Sequence, residues 1–170
     1  MRLLVLFALL ALALGAFVLV THGSSSSGGV VARVIDGDTI ELVGGQRVRL
    51  VQIDTPEKHV ECYGDAASAL TRRLLPPGTR VRIEQDPALD QVDRFQRKLA
   101  YVWKGGEDVN VTLVREGAAG VWFFGGRRGR HSTELLRAGE EARSAPRGLW
   151  AACPLARFDP LGSLSSGPAT

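Results

Sequence analysis

The sequence predicts a small closed β-barrel carrying helices, an α+β fold of the OB type, and three observations predict it. Five short runs rich in β-branched residues dominate the first two thirds of the folded part; turn-forming groups join the first three; and helix-like segments are inserted between and after them. Val30 to Ile35 and Thr39 to Val43 are joined by Asp36-Gly37-Asp38, and Gly44-Gly45 makes a hairpin into Arg47 to Ile53, so three strands form a meander. Asp65 to Leu75 is rich in alanine and leucine, opens on the capping-type Asp65 and stops at Pro76-Pro77-Gly78, which predicts a helix. Thr79 to Gln85 and Lys98 to Trp103 alternate as strands do, separated by the polar loop Asp86 to Asp93. Asn110 to Glu116, ended by Gly117, is a short helix, and Thr133 to Ser144 a longer one.

The ends of the 170-residue chain do not belong to that core. Leu3 to Val20 is an uninterrupted apolar run behind the positive Arg2, long enough for a membrane helix and long for the apolar part of a cleaved signal. Residues 1–22 are accordingly a signal peptide or, in the favoured reading, an uncleaved anchor that tethers the chain through residues 3–20. With Arg2 on the cytoplasmic side the remainder faces outward, secreted or anchored outside the cytoplasm. Residues 23–29 are a Ser/Gly linker, 30–155 the domain, and 156–170 a disordered tail.

Two cysteines, Cys62 and Cys153, in an exported chain suggest one disulfide rather than two buried thiols, and no third cysteine or histidine cluster supports a zinc site. The net charge of +3 does not itself indicate nucleic acid. The basic groups Arg72-Arg73, Arg94 to Lys98 and Arg127 to Arg130 are each compatible with solvated surface.

The acidic residues are more informative. Asp36, Asp38, Asp54 and Glu57 stand at the edges of strand-like runs with Arg49 among them. Oxygen-only ligands suit calcium or magnesium, an arginine suits a phosphate, and a spare carboxylate can take a proton from water. By strand parity Arg49 shares a face with Val51 and Ile53, an apolar setting in which a guanidinium needs an anionic partner. That partner is a phosphate or an internal carboxylate.

Taken together, Ile35-Asp36-Gly37-Asp38-Thr39, Arg49 through Asp54-Thr55-Pro56-Glu57, Tyr63-Gly64, Asp93-Arg94-Phe95-Gln96-Arg97, Leu99-Ala100-Tyr101, Val109-Asn110 and Leu113-Val114 fall in one order. From about Val30 to Trp150 the chain thereby resembles the staphylococcal, or micrococcal, nuclease family. The resemblance implies a five-stranded OB-fold barrel with three helices and calcium-dependent hydrolysis of DNA and RNA. It implies Asp38, Asp54 and the Thr55 carbonyl as calcium ligands, Asp36 in their outer shell, Glu57 activating water, and Arg49 with Arg97 stabilising the charge that develops on the phosphate. Arg94, Phe95, Trp122 and Phe123 are the candidate substrate contacts; Trp122-Phe123-Phe124 stand where tyrosines occur in the family and read equally as core, Phe124 first among them.

The chain departs from the family where a Tyr-Gly pair commonly precedes the second arginine; it has Phe95-Gln96, losing a hydroxyl and a glycine. The expectation is a monomeric, exported nuclease of little sequence preference, because backbone contacts carry no sequence information. The alternatives are a catalytically inactive OB-type module that binds nucleic acid and a structural domain that calcium stabilises.

Overall fold

In the computed structural model, residues 26–169 are described. The expected leader lies outside them, and among the described residues no helix is long and apolar enough to cross a membrane.

The strands are β1 (Ser26–Val34), β2 (Thr39–Leu42), β3 (Arg47–Leu50), β4 (Ile53–Asp54), β5 (Arg80–Glu84), β6 (Lys98–Lys104), β7 (Glu107–Asp108) and β8 (Gly120–Val121). The helices are α1 (Gly64–Leu74), α2 (Val109–Arg115), α3 (Ser132–Ser144) and a single turn, α4 (Leu149–Ala152). The sheet runs β3-β2-β1-β5-β6-β7, and β3 also pairs with β6 in parallel, Arg49 opposite Leu99, so five strands close on themselves. Closure removes the free edges that an open meander would present. β1 serves two neighbours: residues 26–30 pair with β5 and residues 31–34 with β2, with a register shift between Val31 and Arg33. Such an irregularity bends a strand around a barrel corner. Inside lie Val31, Ile40, Val48, Leu50, Ile83 and Tyr101, and Val109, Val111, Leu113 and Val114 of α2 join the same core. Asn110 is fully buried there because its amide is matched, donating to the Val51 carbonyl at 2.9 Å and accepting the Val102 N–H at 3.0 Å.

Four expectations are corrected. Ser26 to Gly29 are not linker but the start of β1, where main-chain bonds to β5 need no side chain. Asp65 does not cap α1; Tyr63 precedes the helix without a side-chain bond, and Asp65 sits in the first turn, where a negative charge meets the helix dipole. β3 ends at Leu50, so the parity linking Arg49 to Val51 and Ile53 does not hold. The chain turns there with Gln52 at φ 63°, its buried amide accepting from the Tyr101 hydroxyl (2.9 Å) and Gly129 N–H (3.0 Å) and donating to the Arg127 carbonyl (2.8 Å). Residues 156–169 are not a loose tail: Phe123 N–H donates to the Pro160 carbonyl, Cys62 N–H to Gly167 and Ala169 N–H to Val60. The expected disulfide joins Cys62 to Cys153.

Candidate active site

The turn between β1 and β2 and the segment around β4 meet at one end of the barrel. Gly37 is required at that meeting, since a Cβ there would lie 2.5 Å from the Thr55 hydroxyl oxygen. From α1, the Thr71 hydroxyl donates to the Gly37 carbonyl at 2.6 Å and braces the turn. Asp36 Oδ1 accepts the Asp38 N–H at 3.0 Å, a local bond that shapes the turn and aims Asp38 inward.

Asp38 is almost fully buried. Its Oδ2 accepts from the Thr55 N–H (3.1 Å) and hydroxyl (3.0 Å), and its Oδ1 meets Arg49 Nε at 3.0 Å. Asp54 turns its own Oδ1 to Nη2 of the same guanidinium at 2.8 Å, while its Oδ2 accepts the Leu164 N–H at 2.9 Å. Nη1 of Arg49 is spent on the carbonyls of Leu50 (2.7 Å) and Ile53 (2.8 Å). Two carboxylate oxygens thus converge on one edge of one cation. Arg49 is the ion-paired arginine anticipated among the alternatives, and it also lines the cleft described below.

One guanidinium does not offset the burial of this group. Burial pushes the Asp54 carboxyl up to about 6 against the pull of Arg49, with Asp38 and Glu57 adding to the rise. Burial, followed by the charge of Asp38, likewise raises Asp36 above the ordinary carboxylate range. Among the described residues no three His, Cys, Asp or Glu side chains converge as a closed metal site. The pair supplies two carboxylates, those of Asp38 and Asp54, whose Oδ1 atoms both face Arg49. That set suits calcium, which takes about 6 to 8 oxygen ligands, and the guanidinium edge marks where positive charge is already accommodated.

Glu57 is exposed on the loop after β4. Its main chain is pinned: the Glu57 N–H donates to Glu61 at 2.7 Å, and its carbonyl accepts from Val60 (3.2 Å) and Glu61 (2.9 Å). Gly64 lets α1 approach that carbonyl, since a Cβ would lie 2.3 Å from it. The carboxylate itself has no hydrogen-bond partner among the described residues and is free to meet a ligand.

Arg97 arrives from the loop before β6. Asp93 organises that loop, accepting from Phe95 N–H (2.8 Å), Arg97 N–H (3.0 Å) and Arg97 Nε (2.7 Å). Arg97 Nη1 then donates to the Thr39 hydroxyl at 3.1 Å, which donates to Asp38 Oδ1 at the same distance. This chain connects the second arginine to the carboxylate pair. Arg49 and Arg97 line one cleft of about 440 Å³, with Phe95, Trp122, Phe124 and Arg127 among its walls. Arg94 lies over the Phe95 ring at 4.7 Å and Arg97 over it at 5.4 Å.

The aromatic assignment is reversed. Phe123 is fully buried, and Phe124 is 66% exposed and packs edge-on to Trp122 at 5.6 Å. A 3₁₀ turn begins at Phe124, so the alternation along β8 does not continue into it. Three contributors escaped the sequence reading. Thr39 and Asp93 stand within the quoted motifs but were given no role there, whereas Leu164 contributes only its main chain and gives no side-chain signal.

A model of the staphylococcal nuclease homologue family matches residues 47–152. The chain is 47% identical over 103 residues to the thermonuclease of Staphylococcus intermedius, a match covering 56% of this chain and 60% of that protein. It is 36% identical over 128 residues to the thermonuclease of Staphylococcus hyicus, covering 71% of this chain and 73% of the other. To Endonuclease YncB of Bacillus subtilis it is 33% identical over 126 residues, covering 69% and 59%. Two of these three matches span less than two thirds of the relative's length.

Proposed function

The chain belongs to the staphylococcal nuclease family, and on that premise we propose that it is an exported, calcium-dependent nuclease that hydrolyses phosphodiester bonds of DNA and RNA with little sequence preference. The observation that carries this reading is the convergence of Asp38 and Asp54 on one edge of Arg49, a guanidinium that itself lines a cleft walled by arginine and aromatic side chains.

Asp38, Asp54 and the Thr55 carbonyl would hold calcium, with Asp36 shaping the turn behind them. The bound ion would supply positive charge beside the scissile phosphate. Glu57, exposed and unpartnered, orients water and accepts its proton. Arg97, tied to the pair through Thr39, and Arg49, once its carboxylates are otherwise neutralised, hydrogen-bond the phosphate oxygens on which charge accumulates. Phe95, Trp122 and Phe124 offer faces and edges for bases to stack on, and Arg94 and Arg127 add positive charge at the rim. None of these contacts distinguishes one base from another, which supports the low sequence preference. The disulfide supports an oxidising compartment and, with the apolar leader, export in secreted or membrane-tethered form.

Cleavage of single-stranded DNA by the wild type and by Glu57→Gln tests the assignment. The wild type should cut, and the variant should be slower by about 100-fold or more with its melting temperature unchanged. A wild type that binds strands and never cuts them would leave the inactive binding module as the better account.

A further inference from the structure

The end of the chain returns to the site. Beyond Cys153 it packs Phe158 against Trp150, ring centroids 5.9 Å apart, and then runs beside the loop that carries Glu57. There Ser166, itself buried, donates its hydroxyl to the Cys62 carbonyl at 2.6 Å; Cys62 N–H donates to Gly167 at 2.8 Å and Ala169 N–H to Val60 at 2.9 Å. Upstream, the Pro160 carbonyl accepts the Phe123 N–H at 2.7 Å. Between these two anchorages Leu164 points its main-chain N–H at Asp54 Oδ2.

The consequence is that the two aspartates are held alike. Each has Oδ2 fixed by a main-chain N–H, that of Thr55 for Asp38 and that of Leu164 for Asp54, and each presents Oδ1 to the same guanidinium edge. A carboxylate with one oxygen tied down has fewer orientations to lose when the other binds a cation, and partners behind metal ligands are known to set affinity in this way.

We propose that residues 160–169 form a positioning strap for the cation site, with the Leu164 N–H setting the Asp54 carboxylate; this rests on reading Asp38 and Asp54 as calcium ligands. Because the donor is main chain, the identity of the side chain at 164 is secondary and the presence of the N–H is decisive. The strap acts through Asp54 and touches no substrate.

The test is calcium binding by titration calorimetry to the purified full chain in four forms: wild type, Leu164→Ala, Leu164→Pro, and a chain ending at Asp159. Leu164→Ala keeps the donor and should bind as the wild type does. Leu164→Pro lacks it, and both it and the shortened chain should bind about 10-fold more weakly. The shortened chain decides the matter if the proline variant does not fold. Wild-type affinity in Leu164→Pro or in the shortened chain overturns the proposal. Tighter binding without the strap also overturns it, since the strap would then compete for the site. A wild type that takes up no calcium overturns the underlying reading of the ligands, and the strap's role with it.

Discussion

Gln96 adopts φ 62°, a left-handed backbone that costs a residue with a Cβ about 1–2 kcal/mol. The loop tolerates this because Asp93 accepts from the N–H groups on either side, at Phe95 and Arg97, and the Asp93 carbonyl accepts the Gln96 N–H at 3.0 Å. Gln96 thus holds a left-handed conformation that glycine would adopt without that cost. Gln96→Gly should stabilise the protein by about 0.5–1 kcal/mol after the extra entropy of glycine is subtracted, read from urea denaturation. A destabilised variant would mean that the Gln96 side chain supports the loop. At this scale much of the site was visible in the sequence. Asp38, Asp54 and Arg49 could be singled out because charged side chains at strand ends need partners. The reversal of Phe123 and Phe124 could not, because it depends on where β8 gives way to a 3₁₀ turn.

Among the elements, α2 carries a charge whose burial has a measurable consequence. Asp108 caps it, Oδ1 accepting from Asn110 N–H (2.8 Å) and Val111 N–H (3.3 Å), while Oδ2 is buried with no hydrogen-bond partner. Burial pushes this carboxyl up to about 6, against the opposing pull of the capped N–H groups and His131. The folded value exceeds the unfolded one of about 3.9, so folding favours the protonated form. The stability this contributes is complete below about pH 4 and lost as pH rises through about 6. Relative to Asp108→Asn, which cannot ionise and still caps a helix, the wild type should lose on the order of 2 kcal/mol between pH 4 and pH 7. Parallel stability curves for the two proteins would contradict the burial argument. The elements themselves were largely legible, since the five barrel strands and three principal helices follow from alternation, helix patterning and turn residues. The break after Leu50 was not. It is set by Gln52 bonding to Tyr101, Arg127 and Gly129, partners that lie far along the chain.

For the whole molecule, β3–β6 pairing closes the barrel and the Cys62–Cys153 disulfide ties the Glu57 loop to the end of α4. The cysteines are 91 residues apart, so in the chain-entropy model the bridge contributes about 4–5 kcal/mol. Replacing both with serine should lower the denaturation midpoint accordingly, and a reductant should do the same to the wild type while leaving the double variant unmoved. The bridge was legible from the count of cysteines. The strap that returns beside it was not, because a run of Gly, Ser, Pro and Leu without periodicity hides contacts made by main-chain groups.

For the molecule as a whole we propose that the Asp38–Asp54 carboxylate pair serves calcium-dependent phosphodiester cleavage. The most direct measurement follows cleavage of denatured DNA by the full chain across a calcium titration and in excess chelator. Cleavage should be absent in chelator, rise with calcium, and be lost at every calcium concentration in Asp54→Asn. Equal cleavage in chelator and in calcium, or strands bound and left intact at all concentrations, would contradict it.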